Sequence, residues 1–136
     1  MATSTLPGVT TERDLQREIA ALQGAWVSIA GRRPLQMFIA GQRFTASFLD
    51  GRLYMGSFEI RLDDHPHIMI MQIDEGPAKH KGQTAWCIYD WDQGMLRWCP
   101  AEPGSGERLI AFPAVTDSRY LCTILRRERS PSDSRA

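Results

Sequence analysis

The chain has 136 residues, 43% of them apolar, and its sixteen basic side chains cancel its sixteen acidic ones. That is the size of one ordinary globular domain, and the zero net charge leaves no surplus of Lys and Arg for a phosphate backbone or an anionic lipid surface. Nucleic acid and membranes are therefore not expected partners. No apolar run nears the roughly 20 residues of a spanning helix and no secretory leader is visible, so the expected compartment is the cytoplasm.

Residues 1–10 are small and polar, broken by Pro7 and Gly8, and are expected to be disordered. Thr11 then stands three residues before Asp14, a capping pattern, and Leu15, Ile19 and Leu22 recur at helical spacing up to Gly24. The spacing predicts a helix over 11–23 with one apolar stripe. It is too short to stand alone in water and must rest on the remainder of the chain.

Beyond Gly24 short strand-like runs alternate with turn residues, which predicts eight strands over 25–30, 35–40, 43–49, 53–62, 67–74, 84–91, 95–99 and 119–127. Asp50-Gly51 is the strongest hairpin signal among the connectors. With Asp92, Gln93 and Gly94 as a loop, Ile88 falls opposite Trp98 and Cys87 opposite Cys99. That register puts Trp86, Ile88, Leu96 and Trp98 on one wholly apolar face, assigned to the interior, with Asp90 at its rim; a one-residue change in the loop would invert it. The fifth strand, His67-Ile68-Met69-Ile70-Met71-Gln72-Ile73, is apolar on both sides. Its outer face, read as carrying Met69 and Met71, needs cover from the helix or from a second copy of the chain, which makes a homodimer possible. Residues 100–118 read as a long loop, with 108–112 a candidate edge strand, and 128–136 as a disordered tail. The fold class expected is all-β: an eight-stranded antiparallel up-and-down barrel, with one domain over 11–127.

The triplet Gly24-Ala25-Trp26, between a helix and the first strand, resembles the Gly-x-Trp motif of lipocalins. The resemblance implies that a basic side chain of the last strand, Arg126 or Arg127, lies across the Trp26 ring. A longer stretch, Leu22 to Glu128, is similar to a bacterial lipocalin-like domain family common in planctomycetes. It is carried by Leu22-Gln23-Gly24-Ala25-Trp26, Gly76-Pro77, Gly82, Ile88-Tyr89, Gly94, Leu96, Cys99, Pro103-Gly104, Arg108, Phe112 and Leu121-x-x-x-Leu125-Arg126. His67 stands where that family usually has Lys. The family implies an architecture and no reaction.

A barrel of this size is either filled by its own side chains or holds one small ligand. Trp26, Phe44, Phe48, Tyr54, Phe58, Trp86, Ile88 and Trp98 are the expected inward and ligand-binding residues. Four tryptophans, six methionines and three tyrosines suit a cavity for an apolar or aromatic molecule. His65-Pro66-His67 with Asp63 and Asp64, even with His80 or Cys87 nearby, reads as a solvated turn rather than a metal site, and neither a metal nor a cofactor is expected. Cys87, Cys99 and Cys122 are an odd number without an export signal and read as reduced core thiols, although a Cys87–Cys99 cross-strand pair is geometrically open. No nucleophile–base motif is visible. The leading expectation is small-molecule binding in the lumen. The alternatives are a barrel-type cyclase or isomerase acting by substrate positioning, and a protein-interaction module using the fifth strand.

Overall fold

Thr11 caps the first helix as its sequence requires. In the computed structural model, which describes residues 11–31, 33–113 and 121–128, the Thr11 hydroxyl accepts from the Asp14 backbone N–H at 3.1 Å and the Asp14 carboxylate accepts from the Thr11 N–H at 3.2 Å. This reciprocal pair starts α1 (Glu12–Leu22), which stops where Gln23 turns extended. The expected disorder over 1–10 and at the tail lies outside the described residues, Glu128 excepted, as does the first part of the expected eighth strand.

The strands are β1 (Gly24–Gly31), β2 (Leu35–Ala40), β3 (Arg43–Phe48), β4 (Leu53–Arg61), β5 (His67–Glu75), β6 (Thr84–Asp92), β7 (Met95–Pro100) and β8 (Thr123–Arg127). Each pairs with its successor and β8 pairs with β1, all antiparallel, so the sheet closes on itself. The chain is an eight-stranded antiparallel up-and-down barrel with one short helix, a lipocalin-like architecture. No helix among the described residues is long and apolar enough to cross a membrane.

Burial alternates with period two, which defines the lumen. Leu35, Met37 and Ile39 face in from β2, Phe44, Ala46 and Phe48 from β3, and Tyr54, Phe58 and Ile60 from β4. Each large side chain so buried is worth roughly 1.5–3 kcal/mol relative to an exposed one. Gly56 permits the tightest contact in the wall: a Cβ there would lie 1.8 Å from the Gln72 carbonyl oxygen. The β4–β5 register shifts at that point, between Met55 and Gly56. A glycine thus lets two strand backbones close up where the barrel bends.

Several sequence expectations change. The β6–β7 hairpin turns on two residues, Gln93 and Gly94, both at positive φ (54° and 81°), so that Asp92 joins the ladder opposite Met95. That is the two-residue turn whose twist suits flanking strands. Tyr89 therefore lies opposite Trp98 and Ile88 opposite Cys99, one residue from the expected register. Ala85, Cys87 and Tyr89 point inward, while Trp86, Ile88 and Asp90 point outward, reversing the expected face of β6. Asp90 makes a bidentate pair with Arg97, at 2.9 and 2.6 Å. In β5 the buried, inward residues are Met69, Met71 and Ile73, and the outer face carries Ile68 and Ile70 instead of the methionines.

Among the described residues, arginine side chains and not α1 lie on the outer face of β5 and β6. Arg61 lies over the Trp86 ring at 5.4 Å and Arg108 at 4.3 Å, so guanidiniums and their stems shield the apolar strip. Arg108 comes from the segment after β7, which runs beside β6 through Ala101 N–H to Trp86 C=O and Gly104 N–H to Thr84 C=O, both 3.0 Å. Residues 108–112 form no strand. Cys99 and Cys122 are joined in a disulfide, leaving Cys87 as the free, buried thiol, contrary to the expectation of three reduced cysteines. The partner of Cys99 is the residue that leads into β8, and the bond ties the end of β7 to the start of the closing strand.

Candidate functional site

At one end of the barrel the lumen is sealed by α1. Leu22 is fully buried and Leu15 and Ile19 pack on the core. The Trp26 indole N–H donates to the Leu22 carbonyl at 2.9 Å, holding the last helical turn on the ring. Arg127, directly opposite Trp26 in the β1–β8 ladder, places its guanidinium 4.3 Å from the Trp26 ring centroid. It also donates to the carbonyls of Ala21, at 2.7 Å, and Gln23, so it caps the helix C-terminus as well. The basic residue across Trp26 is thus Arg127 and not Arg126. Glu18 accepts from the Tyr89 hydroxyl and the Trp91 indole N–H, both at 2.8 Å. Burial, with the Glu18 charge beside it, pushes the Tyr89 phenol far above its usual range, so the hydroxyl stays a donor. Gln23 exchanges bonds of 2.9 and 2.7 Å with the backbone of Gly41 in the β2–β3 turn.

The opposite end is open. A cavity of about 500 Å³ enters the lumen there, lined deep by Phe44, Ala46, Phe48, Tyr54, Met71, Ile73, Ala85 and Trp98 and at the rim by Arg33, Arg52, Lys79, His80, Glu102, Pro103 and Leu121. This volume falls within the roughly 300–1,000 Å³ of small-molecule sites. The walls are apolar and aromatic: Phe48 meets Tyr54 edge-on at 5.7 Å and Tyr54 stacks on His80 at 5.7 Å.

His80 reaches this place through the β5–β6 connection. The Pro77 carbonyl accepts from the N–H groups of His80 and Lys81 at 2.8 and 2.9 Å, one tight helical turn, and Gly82 N–H returns to the Ile73 carbonyl at 2.8 Å. The turn folds His80 into the mouth, where it is 6% exposed. Its Nδ1 lies 2.8 Å from the Tyr54 hydroxyl. Its Nε2 is buried without a hydrogen bond, the nearest acidic oxygen, on exposed Glu102, being 3.5 Å away. A buried polar group left so costs about 1–3 kcal/mol. The Trp98 indole N–H is likewise buried and unbonded, lying beside the Cys87 sulfur, a weak acceptor. Burial pushes the Cys87 thiol far up, with the indole opposing slightly, so Cys87 is no nucleophile.

Of the expected ligand-binding residues, Phe44, Phe48, Tyr54 and Trp98 line the cavity together. Phe58 faces inward without lining it, Trp26 lies under the helix at the sealed end, and Trp86 and Ile88 stand outside the lumen. Missed from sequence were Met71 and Ile73, hidden in a strand apolar on both faces, and the rim residues Arg33, Arg52, Lys79 and His80. The sequence signal for His80 was a lone histidine inside the Gly76-Pro77 to Gly82 connector. His65 and His67 lie 5.2 Å apart, with His67 Nδ1 on the Asp64 carbonyl at 3.0 Å. Among the described residues no three His, Cys, Asp or Glu side chains gather as a metal site.

Comparison with protein-family models, with curated proteins and with solved structures found no match for this chain.

Proposed function

We propose that this protein binds a small apolar or aromatic molecule in the barrel lumen, as a member of the lipocalin-like group its Gly24-Ala25-Trp26 segment resembles. One observation carries the reading: the lumen is sealed at the Trp26 end and holds a cavity of about 500 Å³ at the other, walled by aromatic side chains with Met71 and Ile73. A core filled for stability alone would leave no such space, because interiors pack to the density of organic crystals. Native mass spectrometry of protein purified from its own host tests this. The expected result is a small-molecule mass that departs on denaturation. Bare protein mass, together with no quenching of tryptophan fluorescence by a neutral aromatic probe, would overturn it.

A second reading, a barrel-type isomerase or cyclase, is favoured by the Tyr54–His80 contact, which sets an acid–base pair at the mouth of an apolar-walled chamber. A reactive substrate would be folded by the walls while the pair moves a proton from one carbon to another, with no net redox change. The cytoplasmic setting expected from sequence fits less well than an oxidising compartment, since the Cys99–Cys122 bond persists where thiols are not kept reduced.

A further inference from the structure

The rim of the cavity is chemically unlike its walls. Three cations, Arg33, Arg52 and Lys79, border it. Asp50 is shared by two of them, 3.8 Å from Arg33 and 3.1 Å from Arg52. Lys79 has no ion pair among the described residues, whereas its neighbour Lys81 pairs with Glu75 at 3.5 Å. Counting Glu102, three cations meet two carboxylates among the described residues, a surplus of one positive charge at the mouth in a chain whose total is zero.

His80 adds direction to that charge. A phenol and a neutral imidazole hold one proton each to share between Tyr54 Oη, His80 Nδ1 and His80 Nε2. The Glu102 carboxylate accepts only, and lying on the Nε2 side it draws the ring proton to Nε2; Nδ1 then accepts from the Tyr54 hydroxyl at 2.8 Å. Nε2–H is left as a buried donor at the cavity mouth without a hydrogen bond, the Glu102 carboxylate standing 3.5 Å off. A ligand oxygen satisfies this donor, and Glu102, mostly exposed, is free to swing to solvent as it does so.

We propose that the open end is an oxyanion subsite: the ligand is an apolar or aromatic molecule with one anionic oxygen-bearing head. Its body fills the lumen, its head rests among Lys79, Arg33 and Arg52, and one head oxygen accepts from His80 Nε2–H. This rests on the ligand-binding reading and narrows it to acids.

The test uses two probes that share a ring framework, anilinonaphthalene sulfonate, which is anionic, and N-phenylnaphthylamine, which is neutral. Dissociation constants are read from Trp98 quenching, taken as the difference between the wild type and Trp98→Phe. The anionic probe is expected to bind tighter by at least about fivefold at low salt, the advantage shrinking as salt screens the rim. Lys79→Glu, an exposed substitution that leaves the fold intact, abolishes the preference. Glu102→Gln removes the competing carboxylate and strengthens the anionic probe alone. His80→Gln, which keeps an N–H donor, retains more of the preference than His80→Leu. Equal affinities, or a preference untouched by Lys79→Glu and Glu102→Gln, would overturn the oxyanion subsite and leave lumen binding standing. Failure of both probes to quench Trp98, together with bare protein mass in native mass spectrometry, would overturn both.

Discussion

The two ends of this barrel use the same kinds of side chain to opposite effect. At the sealed end every polar group named above is answered: Glu18 by Tyr89 and Trp91, Trp26 by Leu22, Gln23 by Gly41, Arg127 by two helix carbonyls and a ring. At the open end the same inventory of phenol, imidazole, indole and cation is left partly unanswered, at His80 Nε2, Trp98 Nε1 and Lys79. Satisfied networks hold a fold together, while buried donors without acceptors lower stability and persist where something else uses them. Substitutions at the sealed end should therefore read out in stability, and those at the open end in binding.

The largest effect is expected from Trp26→Ala, which empties the sealed end and removes the seat of Arg127 and Leu22; urea denaturation should show a loss of about 4 kcal/mol. Unchanged stability would mean the helix does not depend on that ring. The double variant Cys99→Ser/Cys122→Ser opens a crosslink spanning 23 residues of sequence. It should lower stability by about 3 kcal/mol on the chain-entropy account, as should reduction of the wild type, with little change at the cavity. Glu18→Ala strands the Tyr89 hydroxyl and Trp91 N–H together and should cost about 2 kcal/mol, whereas Glu18→Gln, which can still accept, should cost less. Hydrogen exchange in α1 reports whether the loss is local to the plug.

Tyr54→Phe sharpens the contrast from the other side. It should cost about 1 kcal/mol, because it leaves His80 Nδ1 buried without its donor, and by freeing the His80 ring it should weaken the anionic probe in fluorescence titration. Smallest of all is the acid response of the cap. Bonds from the Thr11 backbone and side chain hold the Asp14 carboxyl below its usual 3.8. Its contribution is thus complete above that value and fades as pH falls through the lowered one. The stability difference between wild type and Asp14→Asn should be visible at neutral pH and vanish in strong acid.

Strand existence was legible because period-two burial writes itself into sequence: the expected starts of β2 through β7 agree with the structure. The face of β6 was not. One residue in a hairpin loop turns every side chain over, and whether Asp92 joins the loop or the ladder is set by the positive φ of Gln93 and Gly94, which composition does not specify. The wrong face in turn placed Trp86 and Ile88 in the lumen and obscured Tyr89, whose hydroxyl latches the helix.

Local pattern alone determined the capped helix, the eight strands and the aromatic character of the interior, since each follows from residues within a few positions of one another. Closure of the ring decided the rest. It brought Cys122 to Cys99, Arg127 to Trp26, and a loop histidine into the mouth beside a tyrosine 26 positions earlier. Contacts between distant segments are fixed by the shape the strands enclose, and no short window of sequence carries that shape.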